Sequence, residues 1–215
     1  MNKERILQIG MALCAASAIY FNLFDIADEV PSLGFIIFKP LTTILVLFLA
    51  TFGNLRTNYG KRVFIGLLFC LLGDVLLVPE HLFVFGLASF LIAHLFFLAA
   101  FYSEGGFKAK FTPLVVLVPI GVIYYAILFK HLDDLVLPVL VYFVAILIMC
   151  WQGINLYLVK KSNANYLVAV AVCLFLFSDA NLALEKFIIG VELSKITVLA
   201  SYWLAISLLA KSTKR

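Results

Sequence analysis

Two aspartates lie inside stretches of sequence that are apolar over the length of a membrane span. Asp74 lies within residues 69–77, and Asp179 lies within residues 175–182. A carboxylate in hydrocarbon costs several kcal/mol unless another group pairs with it, solvates it or protonates it. A buried carboxyl group that keeps its proton can act as an acid, and a second that is ionised can act as a base. We therefore expect these two side chains to carry chemistry.

The composition is that of a membrane protein. Of 215 residues, 65% are hydrophobic and 13% are charged, and the mean hydropathy is +1.12, whereas soluble domains have about 25% charged residues. The length allows about eight spans of ~20 residues. The alternating pattern of a membrane barrel is absent, and an open sheet cannot lie in lipid, so the spans are predicted to be helices.

We predict an all-α polytopic membrane protein, with eight transmembrane helices in one domain over residues 1–215. The predicted spans are approximately residues 5–24, 33–52, 63–79, 82–102, 112–129, 135–158, 165–183 and 195–211. The first span is taken as retained rather than cleaved as a signal peptide.

The charges of the connecting segments predict the orientation of these spans. On one side fall 12 of the 16 basic residues: Lys3, Arg5, Arg56, Lys61, Arg62, Lys108, Lys110, Lys160, Lys161, Lys211, Lys214 and Arg215. The other side carries Lys130, Lys186 and Lys195 among many acidic residues. By the positive-inside rule, both termini are cytoplasmic. A bacterial host would place such a protein in its inner membrane.

Most of the other polar residues within the predicted spans share the external half with the two aspartates. They are Lys39, Tyr124, Tyr125, Ser178 and Asn22, while His94 lies nearer the midplane. This layout predicts a pocket that opens outward. Most of these residues also have a structural interpretation: Lys39 can snorkel, His94 can bond a neighbouring helix, and Tyr124 and Tyr125 can join an interfacial belt. Ser178, like Thr43, can bond its own helix.

At these residues the sequence resembles the YhhN-like lysoplasmalogenase family of integral membrane proteins. The matching segments are Lys39-Pro40, Gly73-Asp74-Val75-Leu76-Leu77, the run from Phe85 to His94 with Ala100-Phe101, Phe177-Ser178-Asp179 with Leu182-Ala183-Leu184 and Phe187, and Tyr202-Trp203-Leu204-Ala205. They follow in order over most of the chain.

The resemblance implies hydrolysis of the vinyl ether bond of lysoplasmalogens to a fatty aldehyde and a glycerophospho-ethanolamine or -choline. It implies a lysophospholipid substrate, surrounding membrane lipids and no metal or organic cofactor; nucleic acid is not expected, and the oligomeric state stays open. We expect Asp74 and Asp179 to face each other and share one proton, one as acid and one as base. Lys39 would hold the phosphate or keep one aspartate ionised, His94 would orient an aspartate or water, and Cys70 and Leu77 would line the channel for the lipid tail.

Three other functions are compatible with buried aspartates. A proton-coupled transporter of small molecules or lipids would use Lys39 and His94 as relays, but the broken helices typical of such proteins are scarce in this sequence. A retinal-type photoreceptor would need Lys39 as its Schiff base. A non-catalytic lipid-binding or assembly protein would use the aspartates only to pair helices.

Overall fold

The structure, a computed structural model, describes residues 3–24, 31–188 and 192–215. In these ranges the chain is all-helical, as predicted. The eight α-helices of the described residues are α1 Lys3–Phe24, α2 Leu33–Ala50, α3 Asn58–Leu76, α4 Phe83–Ser103, α5 Leu114–Phe129, α6 Val136–Val159, α7 Asn163–Phe187 and α8 Glu192–Ser212. Short 3₁₀ turns, Glu80–Leu82 and Asp133–Leu135, precede α4 and α6.

The ends of α3 and α7 differ from the predicted spans. Thr57 caps α3, its side chain accepting a hydrogen bond from the Gly60 amide, so α3 begins before residue 63. It ends at Leu76 because Pro79 disfavours helical geometry just before it. The last turn of α7 continues beyond residue 183 to Phe187.

Among the described residues, five helices are long and apolar enough to cross a membrane: α1, α2, α4, α6 and α7. Helix α5 is apolar but has 16 residues, and α3 and α8 each carry three charged residues. The protein is an integral, multi-pass membrane protein.

One end of the bundle is closed by polar contacts that join its connections. Lys214 pairs with Glu4 at 2.6 Å, and Arg215 pairs with Glu104 at 2.8 Å. The Asn54 amide donates to the carbonyl oxygen of Thr213 at 2.9 Å. The start of α1, the α2–α3 and α4–α5 connections and the chain end therefore lie together.

Helices α3 and α4 approach each other closely because glycines of α3 face phenylalanine rings of α4. A Cβ at Gly66 would lie 2.5 Å from a ring carbon of Phe97, and one at Gly73 would lie equally near Phe90. Phe97 is fully buried and cannot move aside. This contact fixes the position of Asp74, which follows Gly73 in the last turn of α3.

We expect Gly66→Leu to destabilise the protein by about 1–3 kcal/mol, because the new side chain would overpack the α3–α4 contact. The midpoint of unfolding in detergent measures the effect. Gly10→Leu is the matched control, because a Cβ at Gly10 meets nothing within 4 Å. Equal midpoints for the two variants would contradict this account of the contact.

Candidate active site

A cavity of about 820 Å³ lies at the end of the bundle opposite the start of α1 and the last residues of the chain. Residues of α1, α2, α3, α4, α7 and α8 line it, among them Asp74, Asp179, Lys39, Asn22 and Ser178. The two aspartates predicted to act together thus lie on the walls of one cavity. Lys186 and Glu80, which form a salt bridge at 3.3 Å, lie at its outer part.

Asp74 is held by hydroxyl groups from two other helices. Its Oδ2 accepts hydrogen bonds from Thr43 Oγ1 of α2 at 2.5 Å and from the Tyr202 hydroxyl of α8 at 2.9 Å. Trp203 Nε1 lies 3.3 Å from Thr43 Oγ1 and donates to it. The carboxyl group, 1% exposed, is therefore satisfied by a small polar network between α2, α3 and α8.

Asp179 has different partners. Its Oδ2 accepts a hydrogen bond from the Tyr142 hydroxyl of α6, and His94 Nε2 of α4 lies 3.7 Å from the same oxygen. The His94 ring packs edge-on against Tyr142 and Phe175, with centroids 5.2 and 4.7 Å apart. Within the described residues, neither ring nitrogen of His94 has a hydrogen-bond partner. His94 thus lies beside Asp179. Among the described residues, Asp179 is the one acidic residue with which His94 is in salt-bridge contact.

Lys39 supplies a positive charge on the wall of the cavity. It is 7% exposed, and its Nζ lies 5.4 Å from the centroid of the Phe35 ring. It interacts electrostatically with Asp74 and Glu185, but in the part of the chain that the structure describes it forms no salt bridge. Within the described residues, the ammonium group therefore has acidic neighbours but no ion-pair partner at salt-bridge distance.

Two predicted site residues hold helices together. The Ser178 hydroxyl donates to the Val198 carbonyl at 2.9 Å, which ties α7 to α8. The Tyr124 hydroxyl donates to the Ala180 carbonyl, which ties α5 to α7. Ser178 still lines the main cavity, whereas Tyr124 lines a neighbouring apolar pocket. Both side chains position the helix that carries Asp179.

The rings of Phe90, Phe175 and Tyr202 form an edge-to-face cluster beside the two aspartates. The hydrogen bonds of the described residues pair each carboxyl group with its own tyrosine and do not join the carboxyl groups directly. Direct sharing of one proton stays a prediction. The cavity that both groups line offers room for water or substrate between them.

Three partners of the aspartates were not predicted as site residues. Thr43 was expected to bond its own helix, as its neighbour Thr42 does with the Phe38 carbonyl at 2.8 Å. Tyr202 lies in one of the segments that resemble the family, but the resemblance predicted no role for it. Tyr142 carries a side-chain hydroxyl within the otherwise apolar first half of α6, and this isolation was a usable signal.

These features define a class: an all-helical, multi-pass membrane protein with two aspartates on the wall of one cavity. The chain belongs to the YhhN family, which matches residues 34–213.

Among its relatives is the lysoplasmalogenase TMEM86B of Sus scrofa, 31% identical over 201 residues that cover 92% of this chain and 83% of the relative. The lysoplasmalogenase TMEM86A of Bos taurus is 29% identical over 208 residues, covering 92% and 85%. The membrane protein YhhN of Escherichia coli O157:H7 is 28% identical over 144 residues, covering 66% and 69%. No solved structure matches the chain.

Proposed function

We propose that this protein is a lysoplasmalogenase that hydrolyses the vinyl ether bond of lysoplasmalogens. The products are a fatty aldehyde and a glycerophospho-ethanolamine or -choline. The observation that carries the proposal is the pair of carboxyl groups, Asp74 buried and Asp179 largely buried, on one cavity inside a membrane bundle. The names of the mammalian relatives support the same reaction.

The reaction needs one acid and one base. A carboxyl group protonates the vinyl carbon that lies away from the oxygen, which leaves an oxocarbenium ion. Water adds to the carbon beside the oxygen and loses its proton to the second carboxylate, giving a hemiacetal. The hemiacetal hydroxyl then returns a proton to the first carboxylate, while the second carboxyl group protonates the leaving oxygen. Aldehyde and alcohol are released with both groups restored, as in paired-carboxylate glycoside hydrolysis.

The surroundings of the two aspartates suit different roles. Asp74 accepts two hydroxyl hydrogen bonds and interacts with Lys39, and such partners favour a carboxylate. Asp179 accepts one side-chain hydrogen bond, from Tyr142, and lies beside His94. We assign Asp179 as the proton donor and Asp74 as the base that also stabilises the cation.

We further propose that all eight helices cross the membrane with both termini cytoplasmic. The contacts that gather the chain end and the basic connections at one end of the bundle support this arrangement. The cavity then opens toward the external side.

Asp74→Asn and Asp179→Asn should each lower aldehyde release from alkenyl lysolipids by about a hundredfold to ten-thousandfold, because each removes one acid–base group. Purified protein in detergent, with aldehyde measured by a coupled dehydrogenase, provides the assay. Asp134→Asn, at an exposed position outside the cavity, is the matched control and should keep normal turnover.

The wild-type protein should cleave alkenyl but not alkyl or acyl lysolipids. Near-normal aldehyde release from both cavity variants would remove the aspartates from the mechanism. Substrate flux into proteoliposomes without bond cleavage would favour the transporter instead.

Lys39→Met should raise KM by about tenfold or more while changing kcat less, because a charge-assisted contact with the substrate phosphate is lost. Lys39→Arg should preserve most of the affinity. The control Lys130→Met removes an exposed lysine that does not line the cavity. A fall in kcat at constant KM would indicate that Lys39 acts on Asp74 rather than binding the substrate phosphate.

Cysteine labelling tests the topology. In a variant whose four native cysteines are replaced by alanine, we introduce Asp134→Cys or Lys160→Cys, both at exposed positions. A membrane-impermeant maleimide should label the first on intact cells and the second only after the membrane is opened. Labelling of both on intact cells, or the reverse pattern, would contradict the proposed orientation.

A further inference from the structure

Glu185 is a carboxylate on the wall of the main cavity that the proposed reaction does not use. It lies near the end of α7, partly buried, on the same helix as Asp179. Its sequence neighbour Lys186 already pairs with Glu80. Glu185 itself forms no salt bridge with any described residue, although Lys39 is near enough to interact with it electrostatically. The cavity wall therefore holds a lysine and a carboxylate that are close but not joined in an ion pair.

Both charges lie nearer the mouth of the cavity than the two aspartates do. Helix α2 begins and helix α7 ends at this end of the bundle. Lys39 precedes Thr43, the partner of Asp74, by one helical turn, which places it about 6 Å further out along α2. Glu185 follows Asp179 by six residues, which places it about 9 Å further out along α7. A ligand whose reactive bond lies at the aspartates thus extends past Lys39 and Glu185 on its way outward.

The headgroup of a lysolipid carries its charges in an order that fits this wall. From the vinyl ether outward it has glycerol, then a phosphate anion, and then, in the ethanolamine and choline forms, a cationic nitrogen two carbons beyond the phosphate. The cavity of about 820 Å³ is within the usual size range of sites for small ligands. With the vinyl ether at the aspartates, the phosphate can reach Lys39 and the nitrogen can reach Glu185.

On the basis of the proposed function, we propose that Glu185 binds the cationic nitrogen of the headgroup and selects lysolipids that carry one. An ethanolamine nitrogen can donate a charge-assisted hydrogen bond to the carboxylate, whereas a choline nitrogen offers only its charge. A headgroup that ends at the phosphate meets repulsion from Glu185 instead. Lys39 and Lys195, which also lines the cavity, attract any phosphate, so the carboxylate is the group that distinguishes the amine lipids.

The test compares wild type and Glu185→Gln on alkenyl lysolipids with phosphoethanolamine, phosphocholine or plain phosphate headgroups. The substitution keeps the shape of the side chain and removes its charge. It should lower kcat/KM about tenfold for the ethanolamine form and less for the choline form, and it should not lower kcat/KM for the phosphate form. Asp134→Asn, which removes an exposed carboxylate outside the cavity, is the matched control and should keep the wild-type ratios.

Glu185→Lys carries the test further, because reversing the charge should make the phosphate form the preferred substrate. A loss that is equal for all three headgroups in both variants would indicate that Glu185 acts only in packing and would overturn the inference. Headgroup ratios that stay at the wild-type values in both variants would overturn it as well.

Binding of saturated alkyl lysolipids with the same three headgroups separates this inference from the proposed reaction. These ligands have no vinyl ether, so their affinities, measured by titration calorimetry in detergent, report the headgroup site even if no aldehyde is ever released. Wild type should bind the ethanolamine form more tightly than the phosphate form, and Glu185→Gln should reduce that difference. Aldehyde release by wild type together with identical affinity profiles for wild type and Glu185→Gln would overturn the role of Glu185 and leave the reaction in place.

Discussion

Two carboxyl groups in a bundle of apolar helices need partners, and this requirement constrains how the helices pack. Asp74 requires α2 and α8 to bring Thr43 and Tyr202 to the end of α3. Asp179 requires α6 and α4 to bring Tyr142 and His94 to α7. An unsatisfied carboxylate in such surroundings costs several kcal/mol, comparable to much of the net stability of a domain. Six of the eight described helices are therefore coupled to the site.

The two ends of the bundle differ in structure: one is closed by polar contacts and the other holds the cavity. At one end, two contacts join the end of the chain to the rest of the bundle. Arg215 pairs with Glu104, and Ser212 lies within hydrogen-bond distance of Tyr59, at 2.6 Å. At the other, residues of six helices line the cavity, and Lys186 and Glu80 pair at an exposed position. Closing one end firmly lets the other remain open without loss of the bundle. Helix α5 packs the least of all and exposes most of its side chains, which leaves it as the outer wall of the apolar pocket.

Composition and hydropathy were sufficient to predict the helical class, and the cost of burial was sufficient to single out Asp74 and Asp179. Their partners were harder to predict, because a hydroxyl near a carboxyl group depends on how each helix is rotated and which helices are neighbours. Thr42 and Thr43 show the limit: adjacent in sequence, one bonds its own helix and the other bonds Asp74. Neighbour relations between helices come from packing, which one sequence does not display.

In the sequence the two aspartates look alike, since both lie in apolar segments. In the structure their surroundings differ. Asp74 is enclosed by hydrogen-bond donors at the polar cavity, with a lysine nearby. Asp179 lies where that cavity meets hydrocarbon. Protonation occurs at the vinyl carbon further from the ether oxygen, whereas water adds to the carbon beside that oxygen and the leaving alcohol lies on its headgroup side. The acid that we propose thus lies at the hydrocarbon boundary and the base that we propose lies on the polar side, an order that matches the polarity of the proposed substrate.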